Sequence, residues 1–246
     1  MTDPSDTPSE TPARNETADA RPQWRNFYGR RAGKTLRPSQ RGYLGEDLDP
    51  LTPKNLSREE NPERKPVTPA DIFGNDAPFW LEIGFGGGEH MVHMAASYPA
   101  INILGCEPFI NGVAMLLGKI RAAGVENVAV WPGDARDVME VLPEGSVAKA
   151  FLNYPDPWPK RRHHRRRFVT QEHLVPLFRC LARGAEFRIA TDIPDYMRQA
   201  MEEVPKAGFE LIAHSGTPWD DWMSTRYEQK ALREGRVPDY ATFRKP

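Results

Sequence analysis

The chain has 246 residues, 33 Lys plus Arg against 34 Asp plus Glu, a formal charge of −1 and a hydrophobic fraction of 39%. That length suits one domain with extensions or two small ones, and the apolar content makes a core if it is concentrated in one part of the chain. No apolar run approaches the ~20 residues that span a bilayer, the N-terminus lacks the basic and apolar regions of a secretory signal, and two cysteines, Cys106 and Cys180, cannot build a disulfide framework or a zinc site. A soluble cytoplasmic protein with buried free thiols is expected.

Residues 1–20 are acidic and rich in Pro, Thr and Ser, with almost no large apolar group, so they read as a disordered leader. Residues 21–75 read as a basic, aromatic and Pro-rich arm, partly ordered. Its first part, 21–45, carries seven cations (Arg21, Arg25, Arg30, Arg31, Lys34, Arg37, Arg41), no acid, and the interleaved rings Trp24, Phe27, Tyr28 and Tyr43. Two readings stand for it: a solvated linker, or an arm that orders on RNA through phosphate pairing and base stacking. A second acid-free window, 158–168, holds six more cations, so thirteen positive charges are segregated from a remainder that sums to −14. Local fields of this kind decide polyanion binding, and the near-neutral total conceals them.

From about residue 76 the pattern changes to alternating strands and helices, which marks 76–246 as the main domain. Apolar runs predict strands at 78–85, 101–108, 127–134, 147–155, 185–192 and 209–216. Helices are predicted between them at 89–98, 111–124, 134–142, 168–184 and 195–204. Strands alternating with helices at this spacing mean parallel crossover units, and strands apolar on both faces mean a doubly wound sheet covered on both sides.

Ligands of such sheets bind beyond the carboxyl ends of the strands. Acids recur there: Glu82 in the first strand, Glu107 after the second, Asp134 after the third, Asp156 after the fourth and Asp192 after the fifth. Any one of them could be a helix N-cap; five in register point to a shared site. The first loop, Glu82-Ile-Gly84-Phe-Gly86-Gly-Gly-Glu89-His90, lets backbone approach a ligand, but an acid stands where the dinucleotide fingerprint needs its last glycine. An acid there disfavours a pyrophosphate and favours a phosphate-free cation such as S-adenosylmethionine. Glu107 is spaced to accept from ribose hydroxyls, and Asp134 to accept from the adenine amino group. The segment Asn153-Tyr-Pro-Asp156-Pro-Trp158-Pro-Lys160 is stiffened by three prolines and runs directly into the cationic window. That window is a solvated helix start or, given its place at the catalytic edge, a phosphate clamp. His90 and His93 lack a third metal ligand and read as surface histidines, so no metal is expected.

The strings LEIGFGGGEH (81–90), GCEP (105–108), GDA (133–135), NYPDPWPKRRHHRRRF (153–168), ATD (190–192) and TRYE (225–228) closely resemble those of the bacterial tRNA (guanine-N7)-methyltransferases, the TrmB-like enzymes, over roughly residues 23–243. The resemblance implies an α/β fold, a doubly wound, mostly parallel seven-stranded Rossmann-like sheet. It implies methyl transfer from S-adenosyl-L-methionine to N7 of the guanine at position 46 in the variable loop of tRNA, giving 7-methylguanosine. Carried over by motif position, the cofactor contacts fall on Glu82, Gly84, Gly86, Glu107, Asp134 and Asp156, and the catalytic acid on Asp156. Substrate contacts fall on Lys160, Asp192, Thr225, Arg226, Tyr227 and Glu228, and RNA contacts on Arg162, His163, His164, Arg165, Arg166 and Arg167. Asp192 or Glu228 could select guanine by accepting from its Watson–Crick edge; Trp158 or Tyr227 either stacks on the base or packs. The competing readings are a catalytically silent RNA-binding protein of the same fold and an RNA amino-group methyltransferase, whose strand-end motif has a different residue order. The expected partner is tRNA, with no membrane and no metal; the oligomeric state is open.

Overall fold

The computed structural model describes residues 28–246, so the expectations for the leader and for Arg21, Trp24, Arg25 and Phe27 lie outside the described residues. Seven strands form one sheet: β1 (Phe79–Ile83), β2 (Asn102–Cys106), β3 (Val128–Trp131), β4 (Val147–Asn153), β5 (Leu181–Thr191), β6 (Glu210–Ser215) and β7 (Asp239–Arg244), in the order β3-β2-β1-β4-β5-β7-β6. The pairs β3–β2, β2–β1, β1–β4 and β4–β5 are parallel; β7 is inserted antiparallel between β5 and β6. The chain therefore winds outward from β1 in one direction and, from β4, in the other. The strand order reverses between β1 and β4, and the carboxyl ends of these two strands open a crevice.

Both faces are buried because successive strand side chains alternate. Phe79, Leu81 and Ile83 of β1 pack with α6 (Ala135–Val141), α7 (Gln171–Cys180) and α8 (Pro194–Lys206). Trp80, between them, packs on the other face with Met91 and Met94 of α4 (Glu89–Ser97) and with Val113, Leu116 and Leu117 of α5 (Ile110–Ala123). Six strands match the apolar runs. The seventh, β7, is not among those runs. The helix predicted over 168–184 stops at Cys180, because Leu181 already pairs with Val147 and the chain continues straight into β5. At the far edge every residue of β6 is exposed.

The segment before β1 forms three short helices that the sequence reading does not contain: α1 (Pro38–Glu46), α2 (Leu48–Leu51) and α3 (Pro69–Phe73). Both α1 and α3 open with proline, whose missing N–H costs nothing at a first turn, and Thr68 caps α3 through the N–H of Asp71. Helix α1 buries no residue completely; it lies on α5, where the Tyr43 ring covers Gly118 and the Arg121 guanidinium stands 5.1 Å from that ring. The described part of the arm thus packs on the domain through α1 and α5. Cys106 and Cys180 are both free and buried, as expected.

Candidate active site

The crevice at the strand reversal is a cavity of about 1270 Å³, and the residues expected at the ends of four strands converge on it: Gly84, Gly86, Glu107, Asp134 and Asp156 all line its wall. The glycine loop fits there through two close approaches. Gly86 has φ 57°, and a Cβ on it would stand 2.7 Å from the Tyr227 ring. Gly112, in the first turn of α5, has no room for a Cβ either, which would lie 2.2 Å from the Gly86 carbonyl oxygen. Loop, helix and Tyr227 are therefore in direct contact around one wall.

The three strand-end carboxylates differ in how they are held. Glu107 accepts from the N–H of Gly86 (2.8 Å) and of Phe109 (2.9 Å), one bond to each oxygen, which fixes the carboxylate and leaves a further lone pair on each for a hydroxyl donor. Burial pushes its pKa above the usual carboxylate value, against those two bonds. Asp134 caps α6 through the N–H of Arg136 (2.9 Å) and also accepts from the Arg136 guanidinium (2.9 Å from Nε, 2.5 Å from Nη2). Burial raises its pKa, but the bonds from Arg136 outweigh burial and hold it below the ordinary value. Asp156 has no hydrogen-bonding partner among the described residues. Its carboxylate is open to the cavity, yet the surrounding walls desolvate it enough to raise its pKa, opposed by the charge of Arg30. The chain on either side is bent by Tyr154 (φ 50°) and Trp158 (φ 41°), two non-glycine residues in the left-handed region, a conformation that costs of order 1–3 kcal/mol per residue where it persists. The segment that the prolines were expected to hold extended is instead turned at both ends, so that Asp156 faces the cavity.

Other expected site residues point elsewhere. Glu82 is buried with one oxygen 2.8 Å from His90 Nδ1, and His90 is packed between the rings of Phe151 and Trp222. This corrects the surface reading of His90: it belongs to the buried stripe of α4 with Met91 and Met94. Asp192, also buried, is paired with Arg236. Glu228 accepts from Trp222 Nε1 (2.9 and 3.1 Å) and from the Tyr240 hydroxyl, and burial together with these two acidic neighbours pushes the Tyr154 hydroxyl far above its usual range. Thr225 caps α9 (Arg226–Arg233), and the Arg226 guanidinium lies over the Tyr227 ring and against Gly87. Lys160 is exposed just before a 3₁₀ turn, Arg161–Arg166. Of the substrate set only Tyr227 lines the cavity.

The basic run divides in the same way. Arg161, Arg162 and Arg165 are exposed, and Arg165 borders the cavity. Arg166 sits against two rings, 4.6 Å from the centre of Tyr28 and 4.9 Å from that of Trp158. His163 meets the Trp158 edge; desolvation and the neighbouring Arg166 and Arg162 charges hold its pKa below the ordinary imidazole value. His164 Nε2 stands 3.3 Å from Asp195. Arg167 borders the cavity too but is 1% exposed and donates to the Pro157 carbonyl (2.9 Å), Gln199 (3.0 Å) and Asp195 (2.8 Å), so most of its donors are already engaged within the protein.

Several lining residues, Arg136, His173 and Arg30 among them, are not site residues in the sequence reading. Arg136 was signalled by its position two after a capping Asp. His173 lines the cavity with its ring stacked on Phe168, and burial lowers its pKa. Arg30 comes from the arm. Among the described residues no cluster of three or more His, Cys, Asp or Glu side chains could hold a metal ion, and no helix is long and apolar enough to cross a membrane. A cavity with one open carboxylate, two fixed ones and a cationic mouth suits a ligand that is itself cationic, presented to a polyanion. These residues fit a sulfonium cofactor with ribose hydroxyls better than a nucleotide with phosphates.

Comparison with known proteins bears on the same residues. A family model described as "Putative methyltransferase" (Methyltransf_4) matches residues 76–238. A protein of Paracoccus denitrificans, 73% identical over 92% of this chain and 97% of its own length, is named tRNA (guanine-N(7)-)-methyltransferase. Proteins of the same name from Cereibacter sphaeroides (72% identical, 91% of this chain, 92% of its own) and Rhodospirillum rubrum (42%, 93% and 89%) are also similar. Among solved structures, the 16S rRNA methyltransferase KamB superposes with a TM-score of 0.54 at 14% identity, over 73% of this chain and 95% of its own, a likeness of fold.

Proposed function

The chain belongs to the bacterial tRNA (guanine-N7)-methyltransferase family, and from that membership we propose that it transfers the methyl group of S-adenosyl-L-methionine to N7 of a guanine in tRNA, the guanine at position 46 of the variable loop. The observation that carries the reading is the convergence of Glu107, Asp134 and Asp156 on one cavity whose mouth is bordered by arginines. In this reading residues 76–246 are the methyltransferase domain and the arm before it is part of the RNA-facing side. A tRNA substrate places the protein in the cytoplasm.

Guanine N7 carries an in-plane lone pair and no proton, so the protein needs no general base. The bound cofactor supplies an electrophilic methyl group. The residues around it have to align donor and acceptor, and orientation alone can lower such a barrier by up to ~7–11 kcal/mol. In this reading Glu107, already fixed by two backbone N–H groups, accepts from the ribose hydroxyls, and Asp134, locked by Arg136, accepts from the adenine amino group. Gly84 and Gly86 keep the loop low enough for close approach. Positive charge moves onto the purine during transfer, and the role assigned to Asp156 is to stabilise that developing cation as a carboxylate beside the ring. The assigned substrate roles of Asp192 and Glu228 require each to leave a buried partner, Arg236 or Tyr240, when guanine enters; Tyr227 is already at the cavity, where its ring can stack.

The target base must leave its tertiary contacts, at a cost of a few kcal/mol to be recovered in the pocket. Arg162 and Arg165, both exposed, grip phosphates during this step. The test is incubation with labelled cofactor and unmodified tRNA followed by nucleoside analysis. The expected product is 7-methylguanosine; a methyl on an exocyclic amine, or none, overturns the reading.

A further inference from the structure

The arm contributes a wall of the cavity that none of the motifs contains. Tyr28, Gly29 and Arg30 all line it, with Tyr28 against Trp158 of the segment that carries Asp156. The arm is held there at two places. Near its start, the Tyr28 ring meets Trp158 edge to face (6.4 Å), and the Arg166 guanidinium sits in the corner the two rings make, 4.6 and 4.9 Å from their centres. A few residues on, the arm is bonded to the start of α5: Ile110 N–H donates to the Arg31 carbonyl (3.0 Å), and the Asn111 amide both accepts from Gly33 N–H (2.7 Å) and donates to the Lys34 carbonyl (2.7 Å). Gly33 lies against the Phe109 ring too closely for a Cβ, which would stand 2.7 Å from it. Between these anchors Arg30 is exposed and makes no hydrogen bond or ion pair among the described residues.

We propose that Arg30 binds a phosphate flanking the guanosine being methylated, and that the Tyr28–Arg166–Trp158 cluster is the device that positions it. The inference rests on the reading of the cavity as a tRNA methylation site. A base seated beside Asp156 carries its ribose and phosphates outward through the mouth, where the groups available to meet an anion are Arg30 from the arm and Arg165 from the 3₁₀ turn. A guanidinium kept merely as the counter-ion of Asp156 would be bonded to it; this one is free while lining the same cavity. Arg166, held in the corner of the two rings, is a positioning residue more than a phosphate ligand.

The experiment compares wild type with Arg30→Ala, Arg30→Lys and Tyr28→Ala on unmodified tRNA across a salt series, with cofactor binding followed by calorimetry. Formation of 7-methylguanosine by wild type is the control; without it the functional reading itself fails, whatever the variants do. Given that control, Arg30→Ala is expected to raise the tRNA KM about tenfold and to reduce the slope of log affinity against log salt by about one unit, the release expected for one lost phosphate contact. Arg30→Lys should recover most of the slope, Tyr28→Ala should move KM and slope in the same direction as Arg30→Ala, and cofactor affinity should stay within twofold throughout. An unchanged KM and slope in Arg30→Ala overturns the proposal, and so does a loss confined to kcat with a displaced pH profile, which would make Arg30 the counter-ion of Asp156.

Discussion

The two halves of the sheet use similar acids in opposite ways. At the ends of β2, β3 and β4, Glu107, Asp134 and Asp156 turn toward one cavity. Beyond β5, and at the start of α9, Asp192 and Glu228 turn into the protein onto Arg236, Trp222 and Tyr240. Arg165 and Arg167, two residues apart, both border the cavity and still differ: Arg165 is exposed, whereas Arg167 is buried with its donors engaged by Pro157, Gln199 and Asp195. Position at a strand end brings a charge to the neighbourhood of a site; the partner within reach decides whether it is available there. A buried acid with good donors is stabilised where it is, and drawing it out leaves those donors unsatisfied, at about 1–3 kcal/mol each.

The sharpest way to break this contrast is Asp156→Ala, for which methylation should fall by a factor of ~10²–10³ or more, the scale seen when a preorganised transition-state contact is removed. Binding of tRNA should change only a few-fold, and comparable turnover would return Asp156 to a supporting role. Next in size, Arg167→Ala should lower the free energy of unfolding by roughly 2–4 kcal/mol through lost packing and bonds, measured by denaturant titration, with the salt dependence of tRNA binding unaltered. Arg165→Ala is its mirror: stability within about 0.5 kcal/mol of wild type and a salt slope reduced by about one unit. Either result exchanged between the two would dissolve the distinction. Glu228→Gln should cost ~1–3 kcal/mol of stability by weakening the bonds from Trp222 and Tyr240; an activity loss at full stability would move Glu228 to the catalytic side. The smallest effect is on pH. Because desolvation raises the Asp156 pKa, its carboxylate is the active form only above that raised value, so kcat should fall as pH drops through a point higher than an ordinary aspartate would give. Arg30→Ala removes the opposing charge and should move that point upward, by less than its effect on KM.

The same contrast explains what the sequence makes legible. Central strands buried on both faces are continuous apolar runs, and a helix such as α5 ends visibly at Gly124, so β1–β5 and the helices between them can be read from pattern; β6, though exposed, has an apolar centre, Leu211-Ile-Ala, that reads the same way. The carboxylates that reach the cavity can be read because each follows a strand. The direction of a side chain cannot: Glu82 points to His90 only because β1 places it beneath α4, and Asp192 meets Arg236 from 44 residues further along the chain. Helix α1 has no fully buried residue and hence no apolar stripe to read, and α9 is almost wholly polar. The docking of the arm depends on Asn111 and Arg166, distant residues with no local signature of that role.

Two residues in an unfavourable backbone state flank Asp156, while prolines at 155, 157 and 159 restrict the same stretch in every state of the chain. Proline narrows the unfolded ensemble, so rigidity written into the sequence offsets part of what the bent shape demands. Glycine at Tyr154 or Trp158 would relax the backbone, but it would remove a ring that packs against Trp222 or against Tyr28 and Arg166, and it would widen the unfolded ensemble again. Thermal screening should therefore keep both residues, so that selection for heat tolerance and selection for the chemistry pull the same way in this loop.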